Sequence, residues 1–266
     1  GRCIARLYEP TEGVISFKGD DIAHLSNKQL LPYRQNIQMI FQDPMESLNS
    51  RHTVGEILEE PLIIHKMGDK AERANRVRKL LDTVGLPARS ASRYPFEFSG
   101  GQRQRIGIAR SIALNPQLII CDEPVSALDV SIQSQILNLL VDLQREFNLA
   151  YLFIAHDLAV VKHISDNIAI MYLGRIVEKG DGSSIYRNPE HPYTQSLISA
   201  IPVPDPHREV TRQVISGDVP SPIAPPSGCT FHPRCPKMQD SCRHESPLLK
   251  PSSIQQDHLI ACHLAE

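Results

Sequence analysis

Apolar residues along the chain recur with two different periods, and the two alternate. Residues 37–41 (IQMIF), 118–121 (LIIC) and 151–155 (YLFIA) are short runs of strand length; the last two are apolar throughout, as expected of strands buried in a parallel sheet. Residues 69–84 instead carry Ala71, Ala74, Val77, Leu80, Leu81 and Val84 on one side at helical spacing, with Gly85 closing the helix. Residues 103–114 predict a second helix, ended by Asn115-Pro116, and residues 131–147 a long amphipathic third. Strand, helix and strand across 118–155 make a βαβ unit, hence an α/β domain with a parallel sheet. Residues 1–9 have helical character up to Pro10, and residues 13–18 (GVISFK) alternate like an antiparallel strand before a turn at Gly19-Asp20. Residues 168–172 and 175–178 predict a hairpin about Leu173-Gly174.

Beyond that hairpin the composition changes. Residues 202–226 hold Pro202, Pro204, Pro206, Pro220, Pro222, Pro225 and Pro226, a density that blocks regular structure and predicts an extended linker. Cys229, Cys235, Cys242 and Cys262 follow it, whereas Cys3 and Cys121 sit in apolar contexts and read as small core residues. The 266 residues are 41% hydrophobic and 22% charged, enough for one large domain or a domain with an appendage. A formal charge of −2 argues against broad electrostatic binding to nucleic acid or acidic membranes, and the lack of tryptophan against base-stacking platforms. No apolar run approaches the about 18 residues that span a bilayer, so membrane association is expected to run through a partner. Gly1 rather than methionine opens the chain, and a natural polypeptide extending upstream is expected.

Four short motifs carry chemistry. Ser99-Gly100-Gly101-Gln102 opens a helix whose free N–H groups and dipole favour a phosphate, and the glycines let an anion approach; a plain helix start capped by Ser99 is the alternative. Asp122-Glu123 ends an apolar strand at the edge where α/β sheets hold ligands. There Asp122 suits magnesium and Glu123 suits polarising a water, against two solvated acids in a turn. His156 ends the next strand and would lie beside Glu123, able to meet a phosphate or orient a water; a structural histidine is the alternative. Gln42 ends the 37–41 strand and could ligate magnesium through its carbonyl, or be a turn residue.

In order and spacing, Gln42, Ser99-Gly100-Gly101-Gln102, Asp122-Glu123, Ser126-Ala127-Leu128-Asp129 and His156 resemble the Q-loop, signature, Walker B, D-loop and switch histidine of ABC ATPases. The resemblance covers roughly residues 1–180. It implies an ABC-type P-loop ATPase fold, a parallel-sheet core plus a helical subdomain at about 45–115, here lacking its N-terminal strands. It further implies that two such domains pair head to tail, with ATP between one subunit's phosphate loop and the other's signature. Glu123 would then be the general base, His156 the γ-phosphate contact, and Gln42 and Asp122 the Mg2+ side. Ser99, Gly100, Gly101 and Gln102 would close over the partner's ATP, and Asp129 would bridge to the opposite site. Residues 45–62 would face the coupling helices of two transmembrane permease subunits. One departure stands out: no G-x-x-x-x-G-K-S/T occurs in the 266 residues, so no lysine and no backbone nest hold the β- and γ-phosphates. The upstream aromatic that stacks on adenine in the family is missing as well. With the downstream motifs intact, the pattern reads as a chain cut just past the phosphate loop, inactive alone and still able to offer its signature to a partner.

The segment from His191-Pro192-Tyr193 to Pro202 resembles the one that follows the ATPase domain in dipeptide/oligopeptide importer subunits. Pro192 suits a first helical turn, and Leu197, Ile198 and Ile201 form an apolar face, so a packing helix is expected on either reading. The spacing Cys229-x5-Cys235-x6-Cys242-x19-Cys262 suits four thiolates on zinc or an iron–sulfur cluster, with His232 and His263 near enough to substitute. Disulfides are the rival, disfavoured in a reducing compartment; resemblance to the importer family favours a 4Fe–4S cluster. The organisation expected is an ATPase domain over 1–185, the His-Pro-Tyr helix and proline-rich linker over 186–228, and a cysteine tail over 229–266. The implied function is ATP-driven uptake of dipeptides or oligopeptides, by the second, "F-type" ATPase of a heterodimer. It would sit peripherally on the cytoplasmic face of the inner membrane, served indirectly by a substrate-binding protein. The alternatives are a non-catalytic partner contributing only its signature face, and a soluble ABC ATPase unrelated to transport.

Overall fold

A computed structural model describes residues 1–202 and 215–265 of the chain. They divide into two compact units, Gly1–His156 and Asp157–Glu266.

In the first unit β1 (Ser16–Phe17) and β2 (Asp20–Asp21) form a small antiparallel hairpin. Its turn falls on Lys18 and Gly19, with φ of 54° and 92°, one residue earlier than the sequence suggests. Residues 1–9 do not make the expected helix. The Ala5 N–H reaches the Gly1 carbonyl at 2.9 Å, but Arg6 then turns left-handed at φ 54° and the repeat stops. α1 (Asn27–Asn36) leads into β3 (Ile37–Ile40), and four helices follow: α2 (Pro44–Ser47), α3 (Val54–Ile64), α4 (Lys70–Thr83) and α5 (Gly100–Ile112). Asp69 starts α4 by accepting the N–H groups of Ala71 and Glu72 at 2.8 and 2.9 Å. β4 (Leu118–Asp122), α6 (Val130–Phe147) and β5 (Ala150–Ile154) complete the unit.

The three longer strands pair in parallel in the order β3-β4-β5, with Ile40 beside Cys121 and Cys121 beside Phe153. β4 is the centre: Ile119, Ile120 and Cys121 are 0% exposed. Ile106 and Ile108 of α5, and Ile136 and Leu140 of α6, are buried as completely, each side chain stabilising the fold by about 1.5–3 kcal/mol. β5 departs from expectation. It lies at the sheet's edge among the described residues and leaves Leu152 36% exposed. Cys121 is a core residue whose thiol burial holds firmly protonated, but Cys3 is exposed rather than buried.

The second unit begins with α7 (Leu158–Ile164) and a hairpin of β6 (Asn167–Tyr172) and β7 (Arg175–Asp181), turning at Leu173 and Gly174. α8 (Gly182–Arg187), α9 (Pro192–Ser199), α10 (Ser241–His244), β8 (Lys250–Pro251) and β9 (Leu259–Ile260) follow. Residues 215–226 form no helix or strand, in keeping with a proline-rich linker; Pro204 and Pro206 lie outside the described residues. The cysteine tail is not a loose end. β9 pairs antiparallel with β7, and β8 with β9, giving the order β6-β7-β9-β8. Phe231 is fully buried, with its ring 5.2 Å from Tyr172 and 5.3 Å from Tyr193. Glu178, also fully buried, accepts the N–H groups of Glu190 and His191 at 2.8 and 3.1 Å, and His258 Nε2 lies 2.7 Å away. Those partners are what let a carboxylate sit in a core. Among the described residues no helix is long and apolar enough to cross a membrane.

His191 caps α9, its Nδ1 accepting the Tyr193 N–H at 3.1 Å, and burial lowers its pKa from 6.5 to about 4. An unfolded chain takes up this proton near 6.5, whereas the folded one holds off until about 4. The stability carried by the neutral ring is therefore whole above pH 6.5 and lost as the pH falls toward 4. Melting temperatures measured across that window should drop with acid. His191→Asn keeps a capping oxygen without a titrating ring and should flatten the drop; an unchanged slope would remove His191 as its cause.

Candidate functional site

Three strand ends meet in the first unit. Gln42 follows β3, Glu123 follows β4 and His156 follows β5, and because the strands run parallel and in register all three emerge on one edge. Gln42 Nε2 donates to Glu123 Oε2 at 2.9 Å, and His156 Nδ1 lies 3.1 Å from the same oxygen. Oε2 is thus held from two sides, while Oε1 accepts no hydrogen bond among the described residues. Glu123 is three-quarters buried and His156 mostly exposed, so the carboxylate sits at the floor of the group and the imidazole at its rim. The Glu123 backbone is left-handed, φ 48°, a conformation that costs about 1–3 kcal/mol in a residue with a side chain. Its N–H bonds the Ile154 carbonyl at 3.0 Å, and its carbonyl accepts both the N–H and the Oγ–H of Ser126 at 3.3 and 3.1 Å.

Asp122 sits at the last position of β4, and Arg2 Nε stands 3.5 Å from its Oδ2, a contact that no sequence signal announced. With Gln42 Nε2 committed to Glu123, the Gln42 carbonyl remains available. One carboxylate and one carbonyl, completed by phosphate and water, fit magnesium's preference for few protein ligands. Gln42, Asp43 and Arg2 also border a cavity of about 750 Å3.

Ser99 to Gln102 stand apart from that trio and make no hydrogen bond to it among the described residues. Ser99 is the N-cap of α5: its N–H donates to Gln102 Oε1 at 3.1 Å, and the Gln102 N–H donates to Ser99 Oγ at 3.4 Å. Gly101 has a packing reason to be glycine, since a Cβ there would stand 2.6 Å from Ile132 Cγ2 of α6. Asp129 occupies the N-cap position of α6, is exposed, and does not use its side chain as a cap. Gln133 Nε2 instead braces the loop through the Val125 carbonyl at 2.9 Å.

In the second unit the four tail cysteines are free thiols. The Cys229 N–H bonds the Cys242 carbonyl at 2.9 Å, an approach that Gly228 allows: φ is 66°, and a Cβ there would stand 2.5 Å from the Cys242 oxygen. Burial raises the thiol pKa values of Cys229, Cys235 and Cys262, and neighbouring tail thiols raise each further. His232 and His263 do not join them as expected; each has a ring nitrogen 2.9 Å from a carbonyl, of Cys229 and Glu245 respectively. No three His, Cys, Asp or Glu side chains among the described residues converge in a metal-binding group.

Residues 2–126 match the ABC transporter family, and residues 177–242 match the C-terminal region of oligopeptide/dipeptide transporters. The oligopeptide transport ATP-binding protein AppF of Bacillus subtilis (strain 168) is 54% identical over 267 residues, covering 99% of this chain and 80% of AppF. Among solved structures, the ATP-binding cassette MJ0796, a dimer in a post-hydrolysis state bound to ADP and Pi, aligns with a TM-score of 0.61 at 31% identity, over 68% of this chain and 78% of its own. The protein cbiO1 of Clostridium perfringens, part of the ABC transporter complex cbiONQ, aligns with a TM-score of 0.63 at 27% identity, over 70% and 73%. A relative sharing more than half of its aligned residues along nearly the whole chain leaves one conclusion: the chain belongs to the ATP-binding subunits of the oligopeptide/dipeptide ABC transporter family.

Proposed function

We propose that the chain is the ATP-hydrolysing subunit that powers uptake of peptides, and that Glu123 is its general base. The observation that carries this reading is the convergence of Gln42 and His156 on Glu123 Oε2, with Oε1 accepting no hydrogen bond among the described residues. Oε1 takes a proton from a water; that water's oxygen bonds to the γ-phosphorus of ATP, and the bond to the β–γ bridging oxygen breaks, its electron pair leaving with ADP. In its doubly protonated form His156, at the rim, would hold Glu123 through Nδ1 and donate from Nε2 to the transferring phosphoryl group, and Gln42 fixes the carboxylate's rotamer. A magnesium ion held by Asp122 and the Gln42 carbonyl would neutralise charge on the phosphates.

Exposed Ser99 and Gln102 at the start of α5, and the exposed Asp129, suit closure over nucleotide held by a second ATPase subunit, in line with the dimer formed by MJ0796. Met45, Ile63 and Ile64 are 53%, 53% and 55% exposed, apolar side chains after Gln42 that are available to permease subunits on the cytoplasmic face of the membrane. Peptide cargo follows from the AppF relationship. Cys229, Cys235, Cys242 and Cys262 are the ligand set we assign to a 4Fe–4S cluster, on the spacing of the four cysteines in the sequence.

Glu123→Gln in the assembled importer should lower ATP turnover by at least about 100-fold while leaving nucleotide-dependent closure intact, and turnover at the wild-type rate would sink the assignment. The 266 residues alone, which contain no phosphate loop, should show no ATP hydrolysis above that of Glu123→Gln; measurable turnover by them would overturn that expectation. Protein purified without oxygen should carry about four iron and four sulfide per chain, lost in Cys235→Ser; zinc, or no metal, would refute the cluster.

A further inference from the structure

Arg110 lies in the last turn of α5, the helix that begins at Ser99 and Gly100. Its guanidinium touches both flanks of the segment bearing Gln42. It stands over the Phe41 ring at 5.9 Å, on the residue before Gln42, and NH1 donates to the Ser47 carbonyl at 2.6 Å, at the end of α2. α2 is itself fastened to the Gln42 loop, because Asp43 accepts the Met45 N–H at 2.7 Å. Burial works against the Arg110 charge, lowering its pKa, and the field of Glu60 offsets part of that cost. A desolvated guanidinium is retained where its plane and fork are used together, here on a ring face and a carbonyl, a pairing that a lysine ammonium cannot reproduce. The 13 residues of α5 make a rigid rod of about 20 Å with Arg110 at one end and Ser99 to Gln102 at the other.

We infer that Arg110 is a positioning residue that couples the Gln42 segment to the signature helix, so that a shift of Gln42 on engaging nucleotide is passed along α5 to Ser99–Gln102. This rests on the reading of Gln42 and of Ser99 to Gln102 as nucleotide-contacting elements. Arg110 touches neither nucleotide nor the attacking water; it acts through Gln42.

The test is a double-mutant cycle on steady-state ATP hydrolysis by the subunit in its assembled importer. Arg110→Met should lower kcat about tenfold with KM for ATP changed less than about twofold, and Arg110→Lys should fall between it and wild type. Gln42→Ala should also lower kcat about tenfold, and adding Arg110→Met should cost less than about twofold more, because the coupled element is already gone. Losses that multiply to about 100-fold would mean Arg110 acts independently of Gln42 and would overturn the inference, as would wild-type turnover in both Arg110 variants. If Gln42→Ala alone turns over like wild type, the reading of Gln42 fails, and the coupling with it. Should Arg110→Met melt well below wild type, the same cycle run with Arg110→Lys decides the question.

Discussion

The in-register parallel pairing of β3, β4 and β5 is the constraint on which the site depends. Ile40, Cys121 and Phe153 lie side by side, so Gln42 and Glu123, two residues beyond, and His156, three beyond, leave the sheet at the same end. The Glu123 N–H carries the ladder one bond past the strand by reaching the Ile154 carbonyl, and only then does the chain turn left-handed. A slip of one residue in either pairing would move the carboxylate to the other face and leave Gln42 and His156 without a common partner. The register is strongly fixed because the middle of β4 is wholly buried: Ile119, Ile120 and Cys121 have no solvent-facing alternative. Packing energy spread over β4, α5 and α6 thus holds one strained residue in place.

Helix packing and ligand chemistry also share residues at the signature. Gly101 suits an approaching anion, yet the nearest obstacle to a side chain there is Ile132 of α6. The two demands agree, since a close helix crossing needs the same small residue that leaves N–H groups open. The start of α5 is therefore set by contact with α6 as well as by its own capping box, which ties the signature to the helix that follows Asp129.

Periodicity made β3, β4, α4, α6 and the β6–β7 hairpin legible, because each buries a regular face or spans a plain turn. It did not reveal α1 and α3, which carry Pro32 and Pro61 inside them, residues that argue against a helix unless tertiary packing overrides them. Leu58 and Leu62 supply that packing in α3, both buried. Residues 103–114 mark a helix, and its start at the glycine pair, capped by Ser99, is legible as well. The site trio could be listed from sequence because each member ends an apolar run. Arg2 beside Asp122, and Arg110 between Phe41 and Ser47, could not: nothing local distinguishes an arginine that folds back on a distant carbonyl from one in water. The same holds for Glu178 and His258, joined across 80 positions.

The cysteine tail shows where spacing alone misleads. Four cysteines after a proline-rich stretch suggest a module hung on a tether, but the Ala261 N–H bonds the Val177 carbonyl at 2.9 Å, directly before Cys262. The last cysteine is thus placed by strand pairing with β7, the strand that also carries Glu178. His258, on the approach to β9, closes the buried contact with Glu178, so the polar core of this unit and the position of Cys262 depend on the same few residues. Burial favours protonated thiols at Cys229, Cys235 and Cys262, and any metal bound there must displace those protons, which couples its affinity to pH.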